Sequence, residues 1–258
     1  MELGLVDKVV LVCGGSKGIG LAAAKLFAAE GARVAITSRS EFNLKAAADL
    51  VGGIRTFAGD LSREDQALDV LDKVESQMGP IDIAVNCAGA AKRMPPGELS
   101  PQAWRNAMDA KFFSYLNVID PLIKRMAARR SGVIVNIIGN GGKVAAATHI
   151  AGGAANAALM LATAGLATAY APYDVRVVGL NPGLTETDRV AQGMRAEATL
   201  AGKTMEVVYS EQLKRIPLGR IASPEEIANA ILFLASNKAS YITGVNITMD
   251  GMLSSVIF

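Results

Sequence analysis

The glycines within positions 14–20 are the residues whose type and spacing most clearly indicate a site for binding a ligand. Gly14, Gly18 and Gly20 follow a short β-branched run at 9–12 and precede an Ala-rich segment of helical composition. Because glycine has no Cβ, backbone N–H groups in such a turn can approach a pyrophosphate at the positive end of the helix. A merely tight turn is the alternative, but the position between a strand and a helix favours dinucleotide binding.

The end of the second predicted strand indicates which dinucleotide is bound. It reads Thr37-Ser38-Arg39 and offers no carboxylate to accept a hydrogen bond from a free ribose 2′-hydroxyl. Arg39 can bind a 2′-phosphate through its guanidinium fork, and Lys17 adds a second cation from the glycine-rich turn. The alternative is that both are ordinary surface charges. The pattern favours NADP(H) over NAD(H).

The scaffold that positions these residues alternates short apolar strands with helices. Strands are predicted at 9–12, 34–36, 54–57, 81–85, 133–138 and 175–180, and helices at 21–30, 43–50, 65–78, 102–128 and 148–171. Such alternation implies right-handed crossovers and a parallel sheet covered on both faces. The fold class is therefore α/β, a doubly wound parallel sheet, whose ligands bind at the carboxyl ends of the strands.

Composition and charge exclude several classes of protein. The chain has 258 residues, 51% of them hydrophobic, and no linker interrupts it, so one domain over 1–258 is expected. A formal net charge of +2 without a basic block gives no reason to expect nucleic acid, and no metal site is predicted. Two cysteines and no signal peptide indicate the cytoplasm. The uncharged segment 144–173 is rich in Ala and Gly, which favours a buried or interface helix over a membrane span.

Further motifs lie at the ends of the later strands. They are Asp60, Asn86-Cys87-Ala88-Gly89, Asn181-Pro182-Gly183 with Thr187, and the tail sequences 217–220, 241–244 and 250–251. Together with the glycine-rich turn, they resemble the short-chain dehydrogenase/reductase family, in its single-domain branch, over nearly the whole chain. The resemblance implies a Rossmann-type fold and a homo-oligomer, either tetramer or dimer. Packing of the helix at 148–171 and of the helix that contains Phe112 and Phe113 would build that oligomer.

The resemblance also implies which residues contact the cofactor. They are Gly14, Ser16, Lys17, Gly18, Ile19, Gly20, Ser38, Arg39, Asp60, Leu61, Asn86, Ala88, Gly89, Pro182, Gly183, Thr185 and Thr187. The variable stretch 188–213 would form a lid over a small-molecule substrate, and it carries no group diagnostic of that substrate.

The catalytic set typical of the family, an Asn, a Ser, a Tyr and a Lys, is missing from the matching positions. Alignment of 133–137 with the family's fifth strand places Gly139 at the Ser position and Gly152 at the Tyr position. Asn156 takes the Lys position, and Lys111 takes the Asn position. The usual relay needs a phenol beside an ammonium and cannot operate here. Lys111 could supply the ammonium from the exchanged position, with a solvated surface lysine as the alternative.

Two more polar side chains are candidates for the site. His149, the only histidine, lies three residues before Gly152, and its ordinary pKa near 6.5 would suit acid or base catalysis at neutral pH. The alternative is a histidine that is structural or only lines the pocket. Asn140, beside the vacant Ser position, could donate a hydrogen bond to a substrate oxygen.

Three functions remain open at this point. The first is an NADP(H)-dependent oxidoreductase acting on a carbonyl or alcohol with a non-standard acid/base arrangement. The second is a non-redox lyase or isomerase that uses the same cleft, and the third is a catalytically inactive dinucleotide-binding regulator. The oxidoreductase ranks first, mainly because of the family resemblance.

Overall fold

Seven parallel strands form one sheet in the computed structural model, which describes residues 2–89 and 93–255 apart from the side chains of residues 196 and 200. The strands are β1 (Val9–Cys13), β2 (Arg33–Ser38), β3 (Arg55–Ala58), β4 (Ile83–Asn86), β5 (Gly132–Ile137), β6 (Val175–Pro182) and β7 (Asn246–Met249). Their order across the sheet is β3-β2-β1-β4-β5-β6-β7. Strands β2 and β3 are added on one side of β1, and β4 to β7 are added on the other side. The carboxyl ends of β1 and β4 therefore border the position where doubly wound sheets bind ligands.

Helices connect the strands and cover both faces of the sheet. They are α1 (Gly18–Ala29), α2 (Glu41–Val51), α3 (Glu64–Met78), α4 (Pro101–Met108), α5 (Ser114–Ala128), α6 (Ile150–Tyr170), α7 (Asp188–Ala201), α8 (Met205–Lys214) and α9 (Pro224–Ala235). A π-helical turn, Asp109–Phe113, separates α4 from α5. The helix predicted over 102–128 is therefore confirmed in its extent, with a π-helical turn inside it that was not predicted.

The alternating side chains of β1 explain why the sheet is covered on both faces. All five residues of this strand are buried. Val9, Leu11 and Cys13 belong to the core formed with α3, α5 and α6. Val10 and Val12 belong to the opposite core, formed with α1, α2 and α9. The predicted doubly wound α/β fold is confirmed, with the first six strands close to their predicted positions.

The sequence analysis missed the elements that follow β6. Strand β7 is only four residues long and half-buried along its length, so it lacks the apolar run that marks the other strands. Helix α9 does carry a readable start signal. Ser223 accepts a hydrogen bond from the backbone N of Glu226, and the Glu226 carboxylate accepts one from the backbone N of Ser223, which is a capping box.

Helices α7 and α8 occupy the stretch predicted to form a lid. They pack on a small apolar cluster of their own, which includes Met194, Val208, Ile216 and Ile221. This cluster is separate from the two cores beside the sheet. The segment therefore has packing contacts of its own.

Helix α6 with the turn that follows it, Ile150–Tyr173, contains an 18-residue window with a mean hydropathy of 1.5 and is long and apolar enough to cross a membrane by those two measures. In the structure this helix packs against β6 and contributes Ala155, Leu159 and Thr163 to the interior. Core helices often pass the same test, and the packing is that of a helix covering one face of the sheet.

Candidate active site at the carboxyl ends of the strands

The glycine-rich turn follows β1 and approaches the end of β4. Gly14 has a φ of +75°, and a Cβ built on it would lie 2.8 Å from the backbone N of Ala88. A Cβ on Gly20 would overlap the carbonyl O of Gly14. Both positions need glycine, because the backbone passes too close for a side chain. This close approach suits a cradle of backbone N–H groups around a pyrophosphate.

The loop after β6 faces the glycine-rich turn. Gly18 has a φ of +53°, and a Cβ built there would lie 3.1 Å from Cγ2 of Thr187. Thr187 also caps α7, because its hydroxyl accepts a hydrogen bond from the backbone N of Val190 at 3.4 Å. The glycine-rich turn and the loop after β6, both predicted to contact the cofactor, are therefore neighbours. This proximity suits a dinucleotide that contacts both segments.

The two cations predicted to bind the 2′-phosphate lie at the surface, one just after β2 and one in the glycine-rich turn. Arg39 and Lys17 are exposed, and neither forms an ion pair with a residue that the structure describes. Asp60 follows β3 and accepts hydrogen bonds from the backbone N of Ser62 at 3.1 Å and from its hydroxyl at 2.7 Å. The charges predicted to face the 2′-phosphate are thus available to a ligand.

Asn86 is fully buried and joins three elements. Its Nδ2 donates to Oδ1 of Asn136 at 2.9 Å, and Nδ2 of Asn136 donates to the hydroxyl of Thr163 at 3.0 Å. This ladder ties β4 to β5 and α6. Of the predicted cofactor contacts in this segment, Ala88 and Gly89 lie closer to the surface than Asn86.

Lys111 is buried, which excludes the alternative of a solvated surface lysine. It lies in the π-helical turn, and its Nζ donates to the hydroxyl of Tyr115 at 2.7 Å and to the carbonyl O of Ile137 at 2.8 Å. Burial, with a smaller contribution from the positive charge of Arg189, lowers the pKa of Lys111 to about 7. This amine can gain or lose a proton at neutral pH.

Tyr115 is a site residue that the sequence analysis missed. It is fully buried, and its hydroxyl donates to the carbonyl O of Ile137 at 2.5 Å while accepting from Lys111. A signal was present, because residues four apart on a helix lie on the same face. In the catalytic set typical of the family the Lys follows the Tyr by four residues, whereas here the Lys precedes the Tyr by four.

The three other positions of the expected catalytic set surround the end of β5. Gly139 has a φ of +108°, and a Cβ built on it would lie 3.5 Å from Nδ2 of Asn156. Gly152 and Asn156 are buried in the first two turns of α6. Gly139 and Asn156 are therefore neighbours, and Gly152 lies about one helical turn before Asn156.

His149 lies just before α6, half-buried, beside Gly141. Burial first, and then the positive charges of Arg93, Arg189 and Lys111, lower the pKa of His149 to about 4. Its Nδ1 is buried without a partner among the described residues. The expectation that this imidazole keeps its ordinary pKa is therefore wrong. At neutral pH it is uncharged and cannot serve as an imidazolium acid.

Asn140 is engaged by the C-terminal segment. Its Nδ2 donates to a carboxylate oxygen of Asp250 at 2.7 Å and to the hydroxyl of Ser254. These two contacts use both amide hydrogens, so the predicted donation to a substrate oxygen is not available in this arrangement. Asn140 instead fixes the turn after β5 to the end of the chain that follows β7.

Comparison with known proteins identifies relatives along nearly the whole chain. The protein-family model described as enoyl-(acyl carrier protein) reductase matches residues 14–253. The chain is 36% identical over 252 residues to the 3-oxoacyl-(acyl-carrier-protein) reductase of Chlamydia muridarum, covering 96% of this chain and 97% of the relative.

Solved structures with the same fold include two with stated activities. The L-sorbose reductase of Gluconobacter frateurii, solved with NADPH and L-sorbose, has a TM-score of 0.92 and 28% identity and matches 100% of both chains. A structure described as ribose-5-phosphate isomerase from Brucella melitensis has a TM-score of 0.88 and 32% identity and covers 97% of this chain and 94% of that one.

Proposed function

This chain belongs to the short-chain dehydrogenase/reductase family of oxidoreductases, and we propose that it transfers hydride between NADP(H) and a carbonyl or alcohol substrate with a non-standard acid/base arrangement. The observation that carries the proposal is the crevice between the glycine-rich turn and the loop after β6, where Gly18 faces Thr187. Both segments that such a cofactor needs are present there. The G. frateurii reductase, solved with NADPH, supports the choice of cofactor.

In this mechanism the reduced nicotinamide supplies the hydride when it is bound, and side chains of the chain supply the rest. Lys111 holds a proton on Nζ at the carboxyl end of β5. His149 is uncharged at neutral pH, so it lines the site or accepts a hydrogen bond. Asn140 holds the C-terminal segment against the turn after β5. The groups at 139, 152 and 156 cannot form the usual relay of the family.

The test is a panel of aldehydes and ketones offered with NADPH, with the absorbance of NADPH followed over time. Loss of absorbance with at least one carbonyl supports hydride transfer. Conversion of a substrate with an unchanged cofactor spectrum would instead indicate the non-redox alternative, in line with the isomerase description of the B. melitensis structure. Cofactor binding without turnover on a broad panel would leave the regulator.

Arg39→Ala is expected to weaken NADPH binding by about one to two orders of magnitude and to leave NADH binding nearly unchanged. Hydrogen bonds to a charged group contribute about 1.5–3 kcal/mol, and Arg39 is exposed and available to the 2′-phosphate. Calorimetric titration of both cofactors measures the effect. Arg55→Ala is the control, because Arg55 is also exposed but is the first residue of β3, at the amino end of that strand and away from the carboxyl ends of the strands. Equal losses in the two variants would contradict NADP(H) selection by Arg39.

A homo-oligomer, dimer or tetramer, is also part of the proposal, together with a cytoplasmic location. Leu161 of α6 is 77% exposed, and Phe113 and Trp104 are exposed in the neighbouring α4 and π-helical turn. The elements that carry these three residues pack against one another, and grouped exposed apolar residues mark contact surfaces, whereas a single exposed apolar residue is ordinary. We expect Leu161→Asp to shift the sedimentation coefficient toward that of the 26.8 kDa chain. Phe42→Asp, at an 80% exposed position of α2, should leave the assembly intact.

A further inference from the structure

Lys111 and Tyr115 form a buried pair that is joined by a hydrogen bond between their side chains. The distance from Nζ to the Tyr115 hydroxyl is 2.7 Å, and Nζ lies 4.3 Å from the centroid of the phenol ring. Both groups also donate to one acceptor, the carbonyl O of Ile137. A closed triangle of hydrogen bonds therefore fixes the amine in place.

The local backbone places this pair at the carboxyl end of the sheet. The π-helical turn widens the helix over Asp109–Phe113, which includes Lys111, and π-turns of this kind are frequent at functional sites. Ile137 is the last residue of β5, two residues before Gly139. The amine of Lys111 thus lies at the end of β5, next to the turn that contains Gly139.

From this arrangement, and on the basis of the proposed function, we infer that Tyr115 is a positioning residue that holds Lys111 Nζ as the proton donor to the bound carbonyl substrate. As the substrate carbonyl accepts a hydride at carbon, its oxygen takes a proton from Nζ. The hydride, which the reduced nicotinamide of the proposed function would supply, forms the new C–H bond, and the electron pair of the C=O π bond forms an O–H bond with the proton released when the Nζ–H bond breaks. The neutral amine then regains a proton from water. In alcohol oxidation the same proton returns to the amine.

The charges around the amine show what the phenol contributes. Arg189 from α7 and Cys87 after β4 are the charged or titratable neighbours that act on Lys111, and His149 before α6 lies within range of its charge. Arg189 and burial disfavour the ammonium. The phenol oxygen favours it, because the hydrogen bond that it accepts from a charged ammonium is stronger than one from the neutral amine.

The inference predicts an effect that a packing role would not produce. In Tyr115→Phe the ring remains, the hydroxyl is lost, and the ammonium keeps a single acceptor in Ile137. We expect the pKa of Lys111 to fall by about one pH unit, because a hydrogen bond to a charged group is worth roughly that much. The pH at which carbonyl reduction is half-maximal should fall by the same amount.

The experiment titrates the side-chain amine of Lys111 by NMR in protein labelled with ¹³C lysine, with Lys111→Met used to assign the signal. Tyr170→Phe is the matched control, because Tyr170 lies at the end of α6 outside this pair. A lower pKa in Tyr115→Phe alone supports the inference. An unchanged pKa in a folded Tyr115→Phe protein overturns it, whether or not a substrate has been found.

A second variant covers the case in which Tyr115→Phe does not fold. Replacement of tyrosine by 3-fluorotyrosine keeps the shape of the ring and makes the oxygen a weaker acceptor, so the pKa of Lys111 should fall by a smaller amount. No change with the fluorinated ring would overturn the inference as well. The titration needs no turnover, so its outcome is independent of the carbonyl panel. Absence of turnover would refute the proposed function and leave the positioning result readable.

Discussion

Lys111→Met is expected to lower the rate of NADPH-dependent carbonyl reduction by about two to four orders of magnitude, the usual contribution of a general acid. The variant should still fold. Methionine fills similar space without a buried charge, and the Tyr115 hydroxyl keeps its acceptor in Ile137. The measurement is the initial rate of NADPH oxidation with the best substrate of the panel, with the melting temperature recorded beside it.

The same amine sets the pH dependence of the wild-type enzyme. Reduction needs the ammonium form of Lys111, so its rate should fall as the pH rises through about 7. Alcohol oxidation needs the neutral amine, so its rate should rise over the same range. Lys111→Met should remove both dependences. The two profiles together separate a proton donor from a group that only supports the fold.

A control for Lys111→Met is available on the surface. Lys73 pairs with Asp69 on the exposed side of α3, and its replacement by Met should leave the rate within a few-fold of wild type. A Lys111→Met protein with normal turnover and an unchanged pH profile would refute the role assigned to this amine. The acid would then have to come from another group or from water.

The sheet was predictable because its strands carry their own signals. The residues of β1 form a short run rich in β-branched side chains. Gly14 and Gly20 after it are required because neighbouring backbone passes too close for a Cβ. The half-buried Asn246–Met249 carries no comparable signal, so β7 was missed. The π-helical turn at Asp109–Phe113 was missed because the helical pattern of α4 and α5 continues through it.

The site was less predictable, because its chemistry depends on contacts between distant segments. The sequence around Asn140 gives no sign that its amide is engaged, because the acceptor of its hydrogen bond, Asp250, lies 110 residues later. Burial lowers the pKa of His149, and the charges of Arg93 and Arg189, which approach from other segments, lower it further. Positions were therefore predictable from motif spacing, whereas protonation and hydrogen-bond partners required the fold.

Gly89→Ala is expected to destabilise the protein more than an ordinary glycine substitution and to reduce turnover at the same time. Gly89 has a φ of +81°, where an L-residue is strained. A Cβ there would also overlap the carbonyl O of Ala110 and lie 2.8 Å from Oγ of Ser114. Ala110 immediately precedes Lys111, so relief of the overlap must displace the turn that carries the amine.

Gly79→Ala separates the two costs of Gly89→Ala. Gly79 has a φ of +87°, and a Cβ built on it meets nothing within 4 Å, so its substitution measures backbone strain alone, on the order of 1–3 kcal/mol. Overpacking at Gly89 should add about 1–3 kcal/mol to the loss in the free energy of unfolding. Denaturant titration of both variants gives this difference, and NADPH oxidation gives the activity. Turnover should fall only in Gly89→Ala, because only that Cβ pushes on the backbone beside Lys111 and only Gly89 is a predicted cofactor contact. Equal stability losses with normal turnover in both variants would show that the turn at Asp109–Phe113 yields without moving the amine, and that its close contact with Gly89 does not position the site.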